Sequence, residues 1–131
     1  MSAIGTQSYV VMQDSPEQPA VTIFRQWLEE RGHRVKLIDS PEGAIASACG
    51  AANNASGADL LVLTLTDPSE QAAAIDRLGL MPPSQRPKHV AILSEDEPDV
   101  TLRRRLPGLK LHLLGYPIQA LGLLEIAKRM M

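Results

Sequence analysis

Five times along this chain a short apolar run without helical period is followed by a stretch whose apolar residues recur with the period of a helix. The runs are "SYVVM" (8–12), "VKLI" (35–38), "DLLVLTL" (59–65), "HVAIL" (89–93) and "LKLHLL" (109–114). The helical stretches lie at 20–31, 40–52, 69–80, 98–106 and 117–131. Strands that alternate with helices cannot pair as simple hairpins. They pair in parallel, and the crossover helices cover both faces of the sheet. The run at 59–65 is apolar on both faces, as a central strand of such a sheet must be. The periodicity therefore predicts an α/β domain with a five-stranded parallel sheet.

The punctuation agrees with that reading. In the first helical stretch, apolar residues at 20, 21, 23, 24, 27 and 28 form one wide stripe, and Gly32 stands at the C′ position. "SPEQP" (15–19) opens this helix, with Ser15 and Gln18 spaced as a capping box. The second helix begins with Ser40 as N-cap, Pro41 at N1 and Glu42 in the first turn. Ser69 is read as the cap of the third, and "MPPSQRPK" (81–88) as a rigid surface loop. "PDVTLRRRL" (98–106) reads as a short helix stopped by Pro107 and Gly108, and the last helix carries its cations near its end.

With 131 residues there is room for one core, so 1–131 is read as a single domain, expected to be one part of a longer signalling protein. A net charge of −2 points to neither a general nucleic-acid binder nor a membrane-surface binder. No apolar run reaches the ~20 residues of a membrane span, and "MSAIGTQ" lacks the features of a secretory signal. Cys49, the one cysteine, lies in an Ala-rich segment and reads as a small core residue in a reducing compartment, so the expected location is cytoplasmic.

In open α/β sheets, ligands bind beyond the carboxyl ends of the strands. The residues there are Gln13 and Asp14, Thr64, Ser94, and Tyr116 with Pro117. "VVMQDSP", "DLLVLT", "VAILS" and "LLGYPI", in this order, resemble the receiver domains of two-component response regulators. The resemblance spans nearly the whole chain and implies a flavodoxin-like, doubly wound sheet of strand order 2-1-3-4-5. It also implies roles: an acidic pair for Mg²⁺ at positions 13 and 14, a phosphoryl-accepting Asp at 64, a switch hydroxyl at Ser94 and a Lys at 116.

This chain departs from that pattern at three of those positions. Gln13 replaces one metal-binding acid, Thr64 the acceptor, and Tyr116 the lysine; Asp14 and Ser94 keep the expected type. Phosphoryl transfer here calls for an ionised carboxylate nucleophile, a metal held by carboxylates and a balancing cation. A threonine hydroxyl is un-ionised near neutral pH. The expectation is thus a degenerate receiver, or pseudo-receiver, that is neither an enzyme nor a phosphate acceptor, with no Mg²⁺ and no required cofactor. A residual acceptor role for Asp14 or Asp67 is the weaker alternative, since Asp67 before Pro68 is ordinary turn chemistry.

The functional surface is then sought on the fourth helix, fifth strand and fifth helix, which receivers use for docking. Arg103, Arg104 and Arg105 lie there with Tyr116, Pro117, Ile118 and Gln119. Arginine suits phosphate and the guanine edge, and tyrosine can stack on a base. These residues are the candidate site for cyclic di-GMP, which some receivers of this degenerate kind bind. Two alternatives stand beside it. The arginines are a solvated helix face and the tyrosine packs over the sheet edge, or the domain is a protein–protein adaptor without a small ligand. The expected partners are histidine kinase domains, as in hybrid kinases, or another receiver domain. His33, His89 and His112 read as scattered and not as metal ligands, and the chain has neither a phosphate-binding G-x-x-x-x-G-K loop nor G-x-G-x-x-G.

Overall fold

The computed structural model describes residues 9–14, 19–49, 57–65, 67–94, 100–106, 108–115 and 119–130. Five strands, β1 (Tyr9–Gln13), β2 (Arg34–Ile38), β3 (Leu60–Thr64), β4 (His89–Ser94) and β5 (Lys110–Gly115), form one sheet of order β2-β1-β3-β4-β5. Every neighbouring pair is parallel. The α/β class and the strand order both match expectation, and each strand lies within one or two residues of its apolar run.

The sheet separates two cores because successive residues of a strand face opposite sides. On one side, Val11, Leu61, Leu63, Val90, Ile92 and Leu111 pack under helices α2 (Pro41–Ala48) and α3 (Pro68–Gly79). On the other, Val10, Met12, Leu60, Val62, Ala91 and Leu93 pack under α1 (Pro19–Glu30) and α4 (Gln119–Met130). Phe24 and Leu28 of α1 and Leu123 of α4 are fully buried on that side. Four of the five β3 residues are buried, and β2, at the sheet edge, is mostly exposed. Cys49 is buried in the first core, and burial pushes its thiol pKa up.

Local chemistry sets the helix ends. Gly32 has φ +83°, a left-handed conformation that glycine adopts without steric penalty. Its N–H donates to the Glu29 carbonyl and that of His33 to Leu28, the paired bonds of a Schellman motif. Ser40 Oγ accepts the Gly43 N–H at 3.1 Å, so the expected cap of α2 is present. That helix ends at Ala48; the sequence pattern carried it to 52, and residues 50–56 lie outside the described segments. The proposed Ser15–Gln18 capping box lies outside them too.

Two expectations are corrected. Helix α3 is capped by Asp67, not Ser69: Pro68 opens the helix, and Asp67 Oδ1 accepts from both Ser69 N (2.9 Å) and Ser69 Oγ (2.8 Å). A proline at N1 is preorganised for the helix, which moves the start one residue upstream of the serine. The segment at 98–106 is a 3-10 helix at Val100–Arg104, not an α-helix. So short a segment suits the tighter winding, which is used in short pieces. Leu102 is buried beneath it. Among the described residues, no helix is long and apolar enough to cross a membrane.

Candidate functional site

The parallel register brings the carboxyl ends of β1, β3 and β4 together. Gln13 ends β1, Thr64 ends β3, and Ser94 ends β4 one residue beyond Leu93, the register partner of Thr64. The structure joins the first two directly: Gln13 Oε1 accepts the Thr64 N–H at 2.9 Å, across 51 positions of sequence. The Gln13 side chain thus clamps the backbone of Thr64. Asp14 is exposed, its own N–H donating to the Ile38 carbonyl at 2.7 Å. Ser94 is buried.

Thr64 Oγ1 is sealed from solvent and, among the described residues, has no hydrogen-bond partner. A buried hydroxyl without a partner carries a desolvation cost, and such atoms in a folded protein call for an explanation. A group approaching this oxygen from solvent meets protein first. The loop that follows is tied down as well. Leu65 N donates to the Leu93 carbonyl at 3.0 Å, and the buried side chain of Gln71 on α3 donates its amide N–H to the Leu65 carbonyl. Asp67 is used as a helix cap, and its hydrogen bonds from Ser69 hold its carboxyl below the usual carboxylate range.

Mg²⁺ asks for hard oxygen ligands in octahedral geometry, usually with one or two carboxylates from the protein. Among the described residues no group of three or more His, Cys, Asp or Glu side chains is placed to hold a metal ion.

The arginine segment does not present three equivalent guanidinium groups. Successive residues of a 3-10 helix diverge by about 120°. Arg103 and Arg104 are exposed, but Arg105 turns onto α3, where Nε meets Asp76 Oδ1 at 3.1 Å and Nη2 meets Oδ2 at 2.7 Å. This two-pronged bond lowers the Asp76 pKa and raises that of Arg105. Gln119 begins α4. Tyr116, Pro117 and Ile118 lie outside the described residues.

Sequence reasoning also missed a pairing of two histidines. His89 and His112 are not scattered: His89 Nδ1 and His112 Nε2 are 3.1 Å apart and the rings stack at 5.4 Å between centroids. The register that sets Ala91 of β4 opposite His112 places the two imidazoles diagonally on one face. Alternation along each strand marks both as facing that side, but only the register makes them neighbours.

No family model matches the chain, and no curated protein matches it. Solved structures do. A signal receiver domain from Vibrio parahaemolyticus superposes with a TM-score of 0.61 at 17% identity, over 95% of this chain and 92% of that one. A two-component response regulator from Legionella pneumophila gives a TM-score of 0.59 at 11% identity, over 95% of this chain and 97% of that one. At these identities the likeness is one of backbone architecture, and it runs the length of both chains: this protein has the fold of a receiver domain.

Proposed function

We propose that this chain is a receiver-like regulatory module of two-component signalling that does not accept a phosphoryl group and acts through what docks on it. The observation that carries the reading is the Gln13–Thr64 clamp with its sealed, neutral hydroxyl. A carboxylate at this position would be ionised and would attract a metal; an alcohol does neither, and among the described residues no base is bonded to it. The receiver fold favours a signalling role, and the partner chemistry is that of a histidine kinase domain or a second receiver domain, in the cytoplasm and without catalysis by the domain itself.

Within this reading, the docking face is the surface of the 3-10 helix, β5 and α4, and its small ligand is cyclic di-GMP. Arg103 and Arg104 are exposed, which favours contact with the two phosphates and the guanine edges. Tyr116, Pro117, Ile118 and Gln119, contiguous in sequence, complete the candidate site, the tyrosine ring as the group to stack on a base. Arg105 orients the 3-10 helix through Asp76. Ligand and partner then compete for one face, which couples the two binding events.

The test of the main reading is intact mass after incubation with a small phosphodonor and Mg²⁺. An unchanged mass is expected; a phosphate adduct labile to hydroxylamine would overturn it. The ligand is tested separately by calorimetry with cyclic di-GMP. Saturable heat is expected, weakened at least tenfold by Arg103→Ala or Tyr116→Ala. Absence of heat leaves the protein–protein adaptor reading in its place.

A further inference from the structure

A cleft of about 380 Å³ opens at the edge of the sheet opposite Thr64, where the chain enters β3, β4 and β5. Arg86, Lys88 and Lys110 line it, with Ser84 and the backbones of Gly57 and Gly108. No carboxylate is among the described residues that line it. In a chain of net charge −2 this is a local reversal of sign. The volume lies in the usual range for small-molecule sites, about 300–1,000 Å³.

The walls are fixed before any ligand arrives. The Arg86 guanidinium donates to the carbonyls of Leu78 (3.1 Å), Met81 (3.0 Å) and Gly79 (3.2 Å), so it closes the end of α3 and cannot swing away. Lys88 N donates to the Ala58 carbonyl at 2.9 Å, and Arg86 N to that of Pro83 at 3.3 Å. Gly57 lies so close to the Arg86 carbonyl oxygen that an added Cβ would stand 2.2 Å from it. Any larger residue would push this wall apart. Proline at 83 and 87 stiffens the rest. A preorganised site loses less entropy on binding than one that must be ordered.

One carboxylate approaches from outside the lining. Asp59 Oδ1 meets Lys88 Nζ at 3.2 Å, while its other oxygen accepts the Tyr9 N–H at 2.8 Å. Lys110 has no carboxylate partner among the described residues. Three cations against one carboxylate leave an uncompensated positive charge. The geometry points to this cleft as a binding site for a phosphate group, carried by a small phosphorylated molecule or free as an inorganic polyphosphate. The ammonium of Lys110 is the leading contact, with Lys88 and the Ser84 hydroxyl beside it. A cation is the wrong ligand here, since the charges of Lys110 and Lys88 already act on His89.

His89 supplies an internal reporter. Its pKa lies below the usual imidazole value, first through burial and then through the charge of Lys110, with Lys88 adding to the effect and Asp59 opposing it. A bound phosphate offsets the two lysines, so it must raise the His89 titration midpoint. The experiment titrates pyrophosphate and adenosine monophosphate separately, at constant ionic strength, into the ¹⁵N-labelled protein. Saturable amide shifts at Gly57, Lys88, Gly108 and Lys110, with an upward move of the His89 midpoint, are expected from at least one probe. Whichever binds tighter assigns the source as inorganic or esterified. Lys110→Glu should weaken binding at least tenfold with the rest of the spectrum unchanged. Shifts reproduced by sodium chloride, or an affinity indifferent to Lys110→Glu, would overturn the proposal. The site lies across the sheet from Thr64, so neither result touches the phosphorylation test above.

Discussion

At the scale of single residues, the hydroxyl of Thr64 decides most. It is one buried oxygen at the end of the central strand, without a partner among the described residues. Replacing it with a methyl group of nearly the same shape removes a desolvated polar atom and leaves the packing in place. Thr64→Val should therefore hold stability or raise it by up to about 1 kcal/mol in urea denaturation. A loss above that size would mean the hydroxyl has a partner in solution and would weaken the account of a sealed site. That uncharged side chains stand at Gln13 and Thr64 was visible in the sequence. Their hydrogen bond was not, because 51 positions separate donor from acceptor and only the β1–β3 pairing brings them together. The same holds for Arg105 and Asp76, which share no local pattern. Arg103, Arg104 and Arg105 were readable as one basic run; that Arg105 leaves it for α3 was not.

At the scale of elements, short-range chemistry was largely legible. Ser40, Pro41 and Gly32 act where their residue types suggested, because caps depend on bonds within a few residues. The start of α3 shows the limit. Asp67 and Ser69 are both good caps, and the choice between them depends on whether Pro68 enters the helix. Gln71 was unreadable as anything but a helix residue, yet it is buried and holds the chain after β3 through the Leu65 carbonyl. Gln71→Met keeps the volume and removes the donor. It should cost about 1–3 kcal/mol, the penalty for stranding a buried carbonyl. A cost near zero would show that water or another donor reaches Leu65 O. The 3-10 winding at Val100–Arg104 was misread as an α-helix because five residues are too few for periodicity to separate the two.

At the scale of the whole molecule, the two cores on either side of the sheet hold the fold, and titration acts on its rim. The folded His89 pKa is depressed, so as pH falls the unfolded chain takes up this proton first. Its contribution is complete above the usual imidazole pKa of about 6.5 and is lost as pH drops from there through the folded value. Asp67 and Asp76 are depressed as well, so their contributions persist to lower pH and fade below the ordinary carboxylate range. The urea midpoint should then fall in two stages on acidification, and His89→Gln should abolish the first while leaving the second. A midpoint flat from pH 7 to pH 5 in the native protein would contradict this. The sequence by itself determined the α/β class, the end of α1, the start of α2 and the presence of an amide and a hydroxyl at Gln13 and Thr64, because strand and helix periods, caps and residue chemistry are local. Only the tertiary structure decided that Gln13 clamps Thr64, that His89 meets His112, and that Arg86, Lys88 and Lys110 surround one cleft. Those pairings depend on strand register and crossover, which bring together groups that no short stretch of sequence contains.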